Sequence, residues 1–557
     1  MEAFSRLLNR RVAEDQLYKF HWRCSKTRLT HLSFADDLMI FCGNEAESAK
    51  TIRLALSEFS YWSGLNPNMS KSHIYFAGNN SDYKTAIIQE FQFQEGSLPV
   101  KYLGLPLVTT KFATADCKPL IEALTARIKG WTVRKLSFAG RLQLIKSSLN
   151  SKHIYWSTHM ILPKKIINKV EQVMRDFLWK GQEQGHGGAK VAWNKVAKPI
   201  TEGGLGIKGL LEWNKAAISK LIWKILQPRT TSSWAIWAKA NLLKGRSFWD
   251  IPIPQDCSWT WRKVLTLRNQ FRPYFRSVVG NGSEVFLWYD FWLPVGALQV
   301  AFGEDQFEET GLHRKTKVSD IIRNDQWNWP WSSSEDLRSI RRIIRTQPVP
   351  TRDDLDYLWW VPSMNGEFTI QSSWDIIRTH SDNVEWHNLM WFPGRVPKTS
   401  FCLWLAIRER LYTQDRIHNA DPSWTCLLCN MQKEDHNHLF FNCNFTWQVW
   451  RIVQLDGGIN VPKMCWSSLI IKLARDWRNK NLVSTSWKLC LSVTVYNIWY
   501  ERNTRLHAHK SSDVNTITRK IRETVQLKLS TLSGIKNSAE NREIARRWNL
   551  PSSIFAS

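Results

Sequence analysis

The stretch 426–443 reads CLLCNMQKEDHNHLFFNC and sets Cys426, Cys429, His438 and Cys443 in a C-x2-C-x8-H-x4-C spacing. Zinc takes four thiolate or imidazole ligands in a tetrahedron, and a C-x2-C turn commonly supplies two of them. A histidine followed five positions later by a cysteine can supply the other pair from the start of a helix or strand. His436 competes for the third place, whereas His438 adjoins the apolar run Leu439–Phe441. The alternative is three buried free thiols and a surface histidine. Four ligands within 18 residues make that the weaker reading. A closed four-ligand site leaves no position for water, so the zinc expected here is structural, not catalytic. The other cysteines, among ten in all, are scattered, which fits a reducing compartment better than a disulfide framework.

A second stretch, THLSFADDLMIF at 30–41, puts Asp36 and Asp37 side by side in an apolar run. Two neighbouring carboxylates repel each other, and burial makes each charge expensive. One reading is a hairpin turn, where Asp is at home and water solvates both groups. The other is a bound divalent cation. The alternation on either side predicts strand, tight turn, strand, with the carboxylates at the turn.

At 557 residues the chain is too long for one core, so three or four domains are expected. Its 76 Lys and Arg outweigh 49 Asp and Glu, giving a formal charge of +27 that suits a polyanionic partner. No apolar run reaches the roughly 18 residues needed to span a bilayer, and charges interrupt the opening MEAFSRLLNRRVAEDQ where a secretion signal would be apolar. The expected location is therefore intracellular, nucleus or cytoplasm, without membrane. The 32 tryptophans can stack on bases, yet most are read as large core residues.

Helical spacing appears at Phe4, Leu7, Leu8 and Val12, again at Ile52, Leu56 and Phe59 before a stop at Gly64, and in an apolar stripe through Ile167, Val170, Met174, Phe177 and Leu178. SHIYFAG and VKYLGLPLV read as short strands, the second interrupted by Pro106. The glycines of EGGLGIKG lack the Gly-Lys-Ser/Thr ending of a phosphate loop and are read as an ordinary loop. Residues 230–395 are Trp-rich without a clear period, and 511–548 form a basic, helical tail whose cations are read as a solvated face.

LSFADDLMIF, SGLNPNMSKSHIYF and KYLGLPL together resemble the reverse transcriptases of plant LINE-type (non-LTR) retrotransposons. LSFAGRLQLIKSSL, FLWKG and EGGLGIKGLLEWNKAAISK resemble the region after the polymerase in those proteins, and VPKTSFCLWLAIRERLYTQDRI leads into a segment similar to their zinc-binding domain. The resemblance covers about residues 1–510. It implies an α+β, multidomain chain: a partial palm (1–115), a thumb-like helical region (116–180), a Trp-rich connector (181–365), a reverse transcriptase zinc-binding domain (366–455) and a basic helical tail (456–557). It implies Mg²⁺ on Asp36 and Asp37 once a polymerase site is complete, a protonating or phosphate-steering role for Lys71, and a primer grip at Lys101 and Tyr102. Thumb contacts to a nucleic-acid backbone would come from Arg134, Lys135, Arg141 and Lys146. The family's fingers and its upstream metal-binding aspartate precede the counterpart of Met1, and Asp15 stands in the wrong setting to replace that residue. The chain is accordingly expected not to polymerise alone, to bind RNA or DNA, and to need a further polymerase fragment as partner. Neither a ribonuclease H nor an endonuclease domain is expected in it. The alternative is a non-enzymatic nucleic-acid-binding or structural remnant. A palm lacking its other half is expected to expose a sheet edge and an apolar face.

Overall fold

The computed structural model describes residues 1–77, 81–108, 112–131, 136–181, 188–331, 334–351, 353–416 and 425–556. It is α+β: many helices and, among the described residues, five small two-stranded sheets. Two compact units emerge, each assembled from non-consecutive segments. One comprises 1–116, 156–162 and 213–378; the other comprises 117–155, 163–212 and 379–557.

The first unit opens with α1 (Glu2–Glu14), whose Phe4, Leu7, Leu8 and Val12 are buried as their spacing predicts. Phe4, Leu8 and Val12 share a core with Ile52 and Ala55 of α2 (Ala46–Ser63). Gly64 closes α2 in the left-handed region (φ 72°), where a residue without Cβ is favoured. Between the helices runs an antiparallel hairpin, β1 (His31–Phe34) and β2 (Asp37–Ile40), with Phe34 opposite Asp37. Short strands β3 (His73–Ile74) and β4 (Gln94–Glu95) pair in parallel. VKYLGLPL is not one interrupted strand. It is a second hairpin, β5 (Val100–Tyr102) and β6 (Leu105–Leu107), because Leu103 and Gly104 both take positive φ (49° and 80°) and reverse the chain.

Residues 230–378 of the Trp-rich middle lie in the same unit and build a core there. Trp288 and Trp360 are completely buried, and Trp223, Trp249, Trp261 and Trp292 join them. Strand β7 (Phe275–Val278) pairs with β10 (Tyr357–Trp360), placing Phe275 against Trp360 at 4.9 Å between ring centroids. The intervening β8 (Ile322–Arg323) and β9 (Gln326–Trp327) form a small hairpin.

The second unit is helical. Its axis is Leu482–Ala508, a helix buried on nearly all sides through Leu489, Leu491, Val493, Val495 and Ile498; such a helix belongs in a core. Helices Pro397–Ile407, Asn444–Gly457, Val514–Ser530 and Ala539–Arg547 pack on it. The tail is therefore docked through Ile517, Ile521, Val525 and Leu529, and its cations face outward. Lys164–Lys180 carries the expected apolar stripe and ends at Gly181 (φ 82°). The EGGLGIKG loop serves packing: the Gly203 carbonyl accepts from Trp404 Nε1 at 3.0 Å and from the Arg408 guanidinium at 2.5 Å.

Candidate metal centre

The cysteine–histidine segment is shaped by local hydrogen bonds. Cys426 N–H donates to the Gln432 carbonyl and Asn430 N–H to the Cys426 carbonyl, both at 2.7 Å, folding the C-x2-C turn into a knuckle with Asn430 left-handed (φ 53°). Asp435 Oδ1 accepts from His438 N–H at 2.6 Å and starts the next turn. Phe441 reverses the chain at φ 79°, and Cys443 becomes the residue before the helix Asn444–Gly457. The Cys443 thiol is lowered first by its hydrogen bond with Cys426, against burial, and the Thr446 backbone adds to the effect.

The outcome is a single cluster. The ligand atoms of Cys426, Cys429, His438 and Cys443 all lie within 4.8 Å of one another, and Cys429 Sγ stands 3.3 Å from His438 Nε2. Zinc–sulfur and zinc–nitrogen bonds of about 2.3 and 2.0 Å arranged tetrahedrally give ligand separations of roughly 3.5–3.8 Å. The donor set and its spacing thus fit zinc. Without metal, Cys426 is pushed up to about 12, first by its hydrogen bond with Cys443 and then by burial. His438 is raised to about 9 by hydrogen bonds with Cys426 and then Cys429, against burial. Metal entry here displaces protons, so affinity falls with falling pH. His436 turns elsewhere: its Nδ1 meets Thr413 Oγ1 at 3.2 Å, and burial pushes it down to about 4.

Two arginines on the 482–508 helix hold the knuckle, and sequence reasoning did not find them. Arg502 and Glu434 form a fully buried pair with Nη2–Oε1 at 2.7 Å and a second contact from Nε at 3.0 Å. Gln414 N–H donates to the same carboxylate at 3.1 Å. Three residues on, Arg505 donates to the Leu427 and Leu428 carbonyls at 3.1 and 3.2 Å and pairs with Glu501 at 2.9 Å. Behind the ligands, Phe441 stacks on Trp450 (4.7 Å) and Phe440 meets Trp466 (4.9 Å).

The paired aspartates occupy the tip of the β1–β2 hairpin, and both are exposed. Their neighbours Leu32 and Phe34 are also exposed, at 40% and 62%, so solvation relieves the repulsion that burial would have imposed. Asp37 lies within electrostatic reach of Tyr102, whose phenol is raised by burial first and by that carboxylate second. Among the described residues no third Asp, Glu, His or Cys completes a metal-holding group with Asp36 and Asp37. Asp15 is engaged with the Thr51 hydroxyl and with Leu17 N–H. Lys71 and Lys101 are exposed in the first unit. Arg141 and Lys146 belong to the second; burial lowers both, and the nearby Arg395 adds to the effect on Lys146. Arg134 and Lys135 lie outside the described residues.

Residues 368–450 match the family described as zinc-binding in reverse transcriptase. All four clustered ligands fall inside that span. A protein of Arabidopsis thaliana named "Putative ribonuclease H protein" is 26% identical over a 424-residue alignment that covers 71% of this chain. The chain spans 65% of that relative's length. No helix among the described residues is long and apolar enough to cross a membrane.

Proposed function

We propose that this chain is part of a plant LINE-type (non-LTR) reverse transcriptase in which a zinc-stiffened unit helps hold RNA or DNA. The observation that carries this reading is the convergence of Cys426, Cys429, His438 and Cys443 inside the segment that matches the reverse transcriptase zinc-binding family. Zinc on these four is structural, since three thiolates and an imidazole fill its tetrahedron. The charge of +27 supports a nucleic-acid partner. In this reading 1–115 acts as palm, and Lys71, Lys101, Tyr102, Arg134, Lys135, Arg141 and Lys146 face nucleic acid. An intracellular location, nucleus or cytoplasm, goes with that role.

The same chain by itself does not extend a primer. Two-metal phosphoryl transfer needs carboxylates converging from more than one strand, and Asp36 and Asp37 come from one turn. Mg²⁺ binds productively only when a further polymerase fragment supplies the missing ligand. A second reading, a non-enzymatic nucleic-acid-binding or structural remnant, is favoured by the exposure of both carboxylates. Primer extension on RNA with Mg²⁺ tests this, with Asp36→Ala/Asp37→Ala as control. Extension by the unaltered chain alone, lost in the variant, refutes the inactive reading. Salt-insensitive or absent binding to RNA and DNA refutes the nucleic-acid role, because phosphate contacts weaken steeply with ionic strength.

A further inference from the structure

Within the second unit a cleft of about 320 Å³ opens between the helices Phe138–Leu144, Pro397–Ile407 and Leu482–Ala508. Its floor is apolar, with buried Phe401 stacked on Phe138 at 5.6 Å and 19°. Three cations line it, Arg141, Lys190 and Lys398, and none of its described lining residues is Asp or Glu. Arg141 donates to the Leu178 carbonyl at 3.3 Å, while its buried Nε has no partner among the described residues. The Lys190 ammonium is lowered by burial and lies over the Tyr412 ring at 4.3 Å. Lys398 lies over Tyr496 at 4.6 Å. Tyr496 and Tyr500 stack on each other (6.3 Å, 26°), and Tyr500 is 55% exposed.

Arg141 and Lys190 lose solvation where they line this apolar cleft, and an anion held there with Lys398 offsets that cost. Exposed tyrosine faces offer a stacking platform that every base can use. The volume is at the small end of ligand pockets, roughly 300–1,000 Å³, which admits one unit of a strand and excludes a duplex. We propose that this cleft holds a single-stranded stretch of nucleic acid, its phosphate between Arg141, Lys190 and Lys398 and its base on the Tyr496–Tyr500 pair. The proposal rests on the nucleic-acid reading above and specifies where and in what form the strand is held.

The test uses the full chain and anisotropy titrations with a labelled 20-nucleotide single strand, the same strand with abasic sites, and a blunt duplex. Variants are Tyr500→Ala, Lys398→Gln and Lys190→Gln, each checked for unchanged zinc content and circular dichroism. The expected result is a loss of about tenfold for the single strand with Tyr500→Ala, absent for the abasic strand. Each lysine variant flattens the dependence of log K on log salt by about 0.7, and duplex binding is unchanged in all three. Wild-type-like single-strand binding by every variant overturns the cleft assignment and leaves the broader reading intact. Loss through the lysines alone, equal for intact and abasic strands, overturns the base-stacking assignment and marks a general polyanion site, open equally to an acidic or phosphorylated peptide. No binding of any oligonucleotide by the unaltered chain overturns the broader reading and the cleft together.

Discussion

Stripping zinc from the 426–443 knuckle should free one part of the segment and leave the other in place. Leu439, Phe440 and Phe441 are at most 1% exposed, and burying each stabilises its position by about 1.5–3 kcal/mol, an upper bound for a compact unfolded chain. They remain seated against Trp450 and Trp466 without metal. The turn Cys426–Asn430 has no comparable apolar anchor beyond Leu428, so its order depends on the metal and on the arginines of the 482–508 helix. With zinc a thousandfold above its dissociation constant, ligation contributes about 4 kcal/mol. Opening of the knuckle becomes correspondingly about a thousandfold easier on chelation. Hydrogen exchange at the Cys426 and Asn430 amides reads this directly, since both are bonded within the knuckle. The Trp447 amide, bonded to the Cys443 carbonyl at 2.8 Å, serves as the internal reference. Cys429→Ala should abolish the metal effect and lower zinc from one equivalent to near none. Equal protection with and without chelator, or one equivalent of zinc retained by Cys429→Ala, refutes the reasoning.

Three further outcomes follow from buried or exposed charge. Glu434→Gln leaves the Arg502 cation buried without its counter-charge and should cost about 3–5 kcal/mol in urea unfolding, most of it recovered in Glu434→Leu/Arg502→Met. His153 is 4% exposed and held down to about 4 by burial; the fold keeps it neutral while the unfolded chain protonates near its ordinary value of 6.5. Its contribution is therefore full above pH 6.5 and lost as pH falls toward 4, at about 1.4 kcal/mol per pH unit. Urea midpoints from pH 7 to 4.5 should shift less in His153→Gln than in the unaltered chain. Asp36→Ala and Asp37→Ala should change stability by no more than about 0.5 kcal/mol, because both side chains are exposed, which keeps the primer-extension control clean.

What was legible in the sequence was what short-range physics decides. The hairpin at 31–40 follows from alternation around a turn-forming pair, and α2 and the 164–180 helix stop at the glycines that end their apolar periodicity. The metal cluster was legible for the same reason: its ligands are compressed into a stretch the chain can fold by itself. The reversal at Leu103–Gly104 was not legible, because Leu103 is not a turn residue and takes positive φ only within this hairpin. Pro106 is tolerated opposite Lys101 at the edge of a two-stranded sheet, where a missing N–H leaves no third strand unpaired.

The parts that were not legible share one physical origin. Glu434 and Arg502 look like ordinary charges on polar stretches, and only the tertiary fold turns them into the pair that fixes the knuckle to the central helix. The tryptophans show no period because they do not lie along one element. Trp223, Trp261, Trp288 and Trp360 come from helices, a turn and a strand into one core, each position set by its neighbours' shape. Their indole N–H groups then need acceptors, and Trp360 finds Ser372 Oγ at 2.8 Å while Trp292 finds the Leu287 carbonyl at 2.9 Å. Tyr500 is likewise unremarkable in sequence, and it lines the same cleft as Arg141, which the family resemblance had named as a backbone contact. A sequence declares a site when its ligands are neighbours along the chain. Sites assembled across a fold declare themselves through leftover chemistry, as with Arg141, whose buried Nε has no acceptor among the described residues.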